Sequence, residues 1–105
     1  MYRGGAERVP AGHGEAAARP TVRQLEYVVA VADHLSFRKA ATACGVTQPA
    51  LSTQIQALER VLAIQVFERD RRAVLVTPAG EEVVAQARRA LAAVDDVAAA
   101  ARHHC

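Results

Sequence analysis

The chain has 105 residues, enough for one domain built on one core, since domains usually run to about 100–150 residues. Hydrophobic residues make up 51% but aromatics only 4%, so the core must be small and assembled from helices packed closely through Ala, Val and Leu. A net charge of +2 is too slight to name a partner, no apolar run approaches the roughly 18 residues that would span a membrane, and two cysteines make neither a disulfide framework nor a metal-ligand spacing. The expectation is a cytoplasmic chain with reduced thiols, no membrane contact, no cofactor and no metal.

The opening stretch, "MYRGGAERVPAGHGEAAARP", lacks the apolar run of a signal peptide. It holds Gly4, Gly5, Gly12 and Gly14 with two of the four prolines, and it has almost no bulky apolar side chain with which to bury a core. Residues 1–20 therefore read as a disordered tail, and a start codon assigned too early would look the same.

From Thr21 the pattern becomes helical. Leu25, Val28, Val29 and Ala32 recur at i, i+3, i+4 and i+7, one face of a first helix that His34 should end. The spacing returns as Phe37, Ala40, Ala41 and Cys44, with Ser36 placed to cap a second helix and Cys44 a packing residue on its apolar face. Gly45 can take the left-handed conformation that closes this helix, and Thr47 can cap a third. Pro49 is tolerated in the first turn, where backbone amides have no helical acceptor. Leu51, Ile55, Leu58 and Leu62 then line one face of the third helix, and Gln48, Ser52, Thr53 and Gln56 the opposite one.

After "RVLAIQ" two β-favouring runs, "VFER" and "AVLV", are joined by the charged "DRR" and predict a short hairpin. Thr77 followed by Pro78 is a strong helix start, with Glu81 and Glu82 suited to the first-turn dipole, and this last helix should run to about residue 100. Within it Val84, Ala87, Leu91, Val94, Ala98 and Ala101 alternate three and four apart, a heptad-type seam that calls for a partner helix and predicts dimerisation. An alanine-rich helix folded back on its own domain is the other reading. Arg88-Arg89 and Asp95-Asp96 read as a solvated face.

Three helices with a tight turn between the second and third, then a hairpin bearing arginines, is the layout of a winged helix-turn-helix. In that mainly α architecture the third helix enters the major groove, and a long helix follows the wing. Amides and hydroxyls suit a base-reading surface, because Gln offers a paired donor and acceptor to adenine while Ser and Thr serve base edge or phosphate. A merely solvated polar face would carry the same residues. The charge distribution adds a little: seven basic residues face five acidic ones over residues 21–79, whereas residues 80–105 hold three against four. Arg69, Arg71 and Arg72 form the tightest basic cluster.

An enzyme is excluded on the same residues. Ser52 has no histidine at motif spacing, there is no glycine-rich phosphate loop, and the carboxylates fall on helix surfaces. His103-His104-Cys105 are adjacent residues at a chain end and do not make a defined metal site.

From about Thr21 through the last helix, roughly four fifths of the chain, the sequence resembles the N-terminal DNA-binding domain of LysR-type transcriptional regulators. The resemblance is carried by Phe37 with Ala40-Ala41, "TQPALSTQI" with "LE", Phe67 and Arg69, and "TPAG", in that order and spacing. "LEYVVAVADH", "FRKAA" and "CGVTQPALSTQI" are most similar to the peroxide-responsive branch. The resemblance implies a winged helix-turn-helix domain over residues 21–78 and a linker and dimerisation helix over 79–105. It implies that Gln48, Pro49, Ser52 and Thr53, with Gln56, face double-stranded DNA in the major groove and that Thr47 lies near a phosphate. Arg38 and Lys39 on the second helix, and Arg69, Arg71 and Arg72 around the wing, would contact backbone or the adjacent minor groove. Pairing would run through Val84, Ala87, Leu91, Val94 and Ala98, giving a homodimer that reads inverted repeats.

Two departures from the family pattern bear on this. Thr53 and Gln56 stand where relatives often carry arginine, so no basic residue precedes Arg60 on the third helix, and each missing phosphate contact flattens the salt dependence by about one unit of slope. The chain also ends where the family's effector-binding domain would begin, so ligand response and peroxide sensing are not carried over. A short member that pairs with a full-length relative, and a fragment of a longer regulator, both fit the same sequence.

Overall fold

Each helix among the described residues of the computed structural model starts at a hydroxyl side chain. The structure describes residues 18–70 and 72–104; the predicted tail falls outside them but for residues 18–20, which are exposed and irregular, and Arg71 and Cys105 also fall outside. The chain folds as α1 (Val22–His34), α2 (Phe37–Cys44), α3 (Gln48–Leu62), β1 (Phe67–Arg69), β2 (Val74–Val76) and α4 (Pro78–His103). Thr21, Ser36, Thr47 and Thr77 are the N-caps, their oxygens accepting from the amides of Gln24, Lys39, Ala50 and Gly80. Each such cap contributes about 1 kcal/mol by satisfying an amide that the helix leaves unpaired.

Thr21 and Gln24 close a full capping box, since the Gln24 side chain also accepts from the Thr21 amide at 3.0 Å. Three helices end in the left-handed region, at Leu35 (φ 50°), Gly45 (φ 71°) and Ala63 (φ 58°). At Gly45, between α2 and α3, the backbone conformation alone favours glycine, because a Cβ there would meet nothing within 4 Å.

The buried faces follow the helical spacing with one shift. On α2 Phe37, Ala40 and Ala41 are buried, and on α3 Leu51, Ile55 and Leu58, as expected. On α1 the core side is Tyr27, Val28 and Val31, while Leu25, Val29 and Ala32 of the expected stripe are half-buried at its rim. The reason is that α1 packs against α2, α3 and α4 together, which buries more of its circumference than a single stripe. Leu51, Leu58, Val28, Val31 and Val66 are the large side chains closed off from solvent, each worth about 1.5–3 kcal/mol of burial.

β1 and β2 pair antiparallel with Phe67 opposite Val76, Glu68 opposite Leu75 and Arg69 opposite Val74. Phe67 and Val74 face the core, and Glu68 and Leu75 face out. Asp70 makes the turn: its Oδ1 accepts from the amides of Arg72 and Ala73, both at 2.8 Å, and those bonds hold its carboxyl below the ordinary range. This is a winged helix-turn-helix followed by a long helix.

The start of α4 is clamped to the wing. Thr77 donates its hydroxyl to the Gln65 carbonyl at 2.6 Å, and its amide donates to the Val66 carbonyl at 2.9 Å. Gly80 lies so close beneath Val66 that a Cβ would overlap the Val66 carbonyl, which explains the glycine of "TPAG". No helix among the described residues is long and apolar enough to cross a membrane.

Candidate nucleic-acid interface

Because α3 buries Leu51, Ile55 and Leu58, the helical period turns Gln48, Pro49, Thr53 and Gln56 outward, and all four are exposed. Ser52 is half-buried at the edge of this row, and Thr47 is exposed at its head with its oxygen engaged by the Ala50 amide at 3.2 Å. Arg38 and Lys39 are exposed at the start of α2, with Arg69 and Arg72 exposed on the wing.

The fold brings Arg38, Arg69 and Arg72 to the polar row. A cleft of about 310 Å³ between the start of α2 and the wing is lined by Arg38, Gln48, Arg69, Asp70 and Arg72 among others. A second, of about 230 Å³, separates α3 from β1 and is lined by Ser52, Gln56, Glu59, Phe67 and Arg69 with Phe37. Arg69 borders both. Its guanidinium lies over the Phe37 ring, Cζ 4.1 Å from the centroid. Arg71, expected beside it, lies outside the described residues.

Three contacts that shape the surface escaped the sequence reading. Glu59, the acid of "LE", turns its carboxylate on the strand: Oε2 accepts from the amides of Val66 at 2.8 Å and Phe67 at 3.2 Å, fixing the wing to α3. Gln24, the one buried polar side chain among the described residues, donates to the Gln54 Oε1 at 3.1 Å and ties α1 to α3. The "T-x-x-Q" spacing of its capping box was the available signal. Arg88, expected in a solvated face, donates to Asp33 at 2.6 Å and holds α4 on α1, the bond keeping the Asp33 carboxyl below its usual range.

The predicted pairing seam divides. Val84 and Ala87 are buried in the chain's own core, a correction to their assignment as partner contacts; the first part of α4 is needed to close the domain over α1. Leu91 is half-buried, and Val94 and Ala98 are exposed. Val97, outside the predicted seam, is 73% exposed. The helix runs past the expected end, to His103.

Cys44 is half-buried and burial pushes its thiol up, which fits a packing role. His103 and His104 meet edge to face at 5.6 Å, and no group of His, Cys, Asp and Glu among the described residues is arranged to hold a metal ion.

Comparison with known proteins agrees with this geometry. The family model described as bacterial regulatory helix-turn-helix protein, lysR family, matches residues 22–81. A probable hydrogen peroxide-inducible genes activator of Streptomyces viridosporus is 49% identical over 76 residues, covering 72% of this chain and 24% of the relative. The DNA-binding transcriptional dual regulator OxyR of Escherichia coli (strain K12) is 51% identical over 70 residues, covering 67% of this chain and 23% of the relative. The chain thus spans about a quarter of the length of these relatives. Among solved structures, a BenM DBD/benA site 1 DNA complex superposes with a TM-score of 0.75 at 41% identity, covering 79% of this chain and 93% of that one. With the matched residues running from α1 through the clamp that starts α4, the chain belongs to the lysR family of bacterial regulatory helix-turn-helix proteins.

Proposed function

We propose that the chain is a transcription regulator that binds double-stranded DNA as a homodimer in the cytoplasm, inserting α3 into the major groove. The observation that carries this is the exposed polar row of α3 opening at Gln48 onto a cleft lined by Arg38 from α2 and Arg69 and Arg72 from the wing, with Lys39 exposed next to Arg38. Gln48 and Gln56 offer the amide pattern that pairs with adenine, Ser52 and Thr53 reach base edge or phosphate, and Pro49 packs against a base-edge methyl. Thr47 and the flanking cations take backbone, and Arg71 extends the wing's positive charge. The likeness to a structure solved with DNA supports the same docking.

Leu91, Val94 and Ala98 form the remaining part of the pairing seam, and Val94 and Val97 are large apolar side chains left exposed. A dimer of this kind reads inverted repeats because two-fold protein symmetry is matched by two-fold operator symmetry. The same face would serve pairing with a longer relative; sedimentation of the chain alone as a stable homodimer with tight DNA binding counts against that second reading.

The test is selection of preferred sequences by the parent chain and by Gln48→Ala, followed by footprinting. A lost bidentate pair should cost about 1–3 kcal/mol of discrimination at one base while nonspecific binding stays nearly the same. An unchanged footprint and unchanged selectivity in Gln48→Ala would remove α3 from the reading role.

A further inference from the structure

Arg69 is the wing cation whose position is held by another side chain. Its guanidinium lies over the Phe37 ring, with Cζ 4.1 Å from the centroid. A stacked guanidinium uses its flat face and leaves its N–H edges free to donate. Among the described residues it makes no ion pair, and it is exposed, so no carboxylate competes for those edges.

The ring beneath it is itself fixed. Phe37 is 6% exposed and stands edge-on to Phe67, with centroids 6.1 Å apart and planes at 79°. Phe67 is anchored through its amide to the Glu59 carboxylate of α3 at 3.2 Å. One line of contacts thus runs from the base-facing helix through two aromatic rings to a cation at the border of both clefts.

We propose that Phe37 is a positioning residue for DNA binding: its ring holds Arg69 in place to take a backbone phosphate beside the groove that α3 enters. The assignment rests on the DNA reading above. A free arginine loses rotamer freedom when it binds, and one already stacked has lost most of it, so the planar fork meets phosphate at lower cost. The absence of a basic residue on α3 before Arg60 makes a held arginine on the wing more consequential.

Phosphate contacts do not depend on sequence, so the probe is a fluorescent mixed-sequence DNA duplex titrated across a salt series. The parent chain, Phe37→Leu, Arg69→Ala and the double variant form a cycle. Arg69→Ala should flatten the plot of log affinity against log salt by about one unit. Phe37→Leu keeps the charge and therefore the slope, but weakens binding by about two- to fivefold. In the double variant the leucine adds no loss beyond that of Arg69→Ala. An equal loss from Phe37→Leu with and without Arg69 would mark a general effect of the core and overturn the assignment, as would no loss at all.

Should Phe37→Leu fail to fold, Phe37→Met takes its place in the cycle, because methionine fills similar volume without offering a ring face to Arg69. The slope should stay and affinity should fall; binding equal to that of the parent overturns the assignment. A parent chain that does not bind the duplex at all overturns the DNA reading and this inference together, whereas an additive cycle in a chain that binds removes the inference alone.

Discussion

The two halves of α4 carry the same spacing of small apolar residues, yet one is core and the other is surface. Gly80, Val84 and Ala87 are buried where α4 starts beside Val66 and packs against α1, and Thr77 locks their end of the helix to Gln65 and Val66. Val94, Val97 and Ala98 are exposed on the same helix. The difference teaches that a period of three and four reports an apolar face without saying what covers it. Cover comes from the tertiary fold for the first half. For the second, the pairing proposed above would supply it from a second copy.

The sharpest way to break that comparison is to place the same charge in each half. Val84→Asp buries an unpaired carboxylate in the core and should cost about 4 kcal/mol or more, enough to abolish the cooperative thermal transition of a domain this size. Val97→Asp should leave unfolding of the isolated domain within about 0.5 kcal/mol of the parent and should shift the sedimentation coefficient to that of a monomer. If Val97→Asp remains a dimer, the exposed half of α4 is not the pairing surface.

A smaller effect is expected at Gly80. Alanine there forces α4 away from the Val66 carbonyl, an overpacking that should cost about 1–3 kcal/mol in denaturant unfolding with little change in the slope of the transition. Because α4 would be displaced at its root, the loss should carry over to the half that projects from the domain, and dimerisation should weaken in parallel. A stable Gly80→Ala chain with unaltered self-association would show that the clamp tolerates a looser approach.

Much of this fold was legible because its signals are chemical and local. Ser36, Thr47 and Thr77 cap their helices for a reason visible in four residues of sequence, Gly45 announces its turn, and the capping box of Thr21 carried the same kind of signal unread. The polar row of α3 followed from the period alone. Leu35 and Ala63 were not legible, since nothing in their side chains requests a left-handed backbone; it goes with the bonds that close each helix, from the Leu35 amide to the Val31 carbonyl and from the Ile64 amide to the Glu59 carbonyl. Nor were the Glu59 carboxylate on the Phe67 amide and the Arg69 guanidinium on the Phe37 ring, for both join elements that only the fold brings together. Arg88, Arg89, Asp95 and Asp96 are exposed as expected, and the unforeseen part is that Arg88 has a partner, because α1 ends beside it.

That pair gives the smallest effect and the finest distinction between the halves. Arg88 sits just beyond the buried part of α4 and meets Asp33 at 2.6 Å, with both side chains half exposed. Water screens such a pair, so its worth is about 0.2–1 kcal/mol, and Asp33→Asn should lower stability by no more than that at neutral pH. The arginine's hydrogen bond holds the Asp33 carboxyl below its ordinary value, so the folded state binds its proton less readily than the unfolded one. The contribution is therefore complete above the ordinary carboxylate range and fades as pH falls through the lowered value. Denaturant unfolding of parent and Asp33→Asn chains should differ at neutral pH and converge in acid, and raising the salt at neutral pH should close most of the same gap. A difference that persists unchanged in acid would mean that Asp33 holds α4 by its shape and not by its charge.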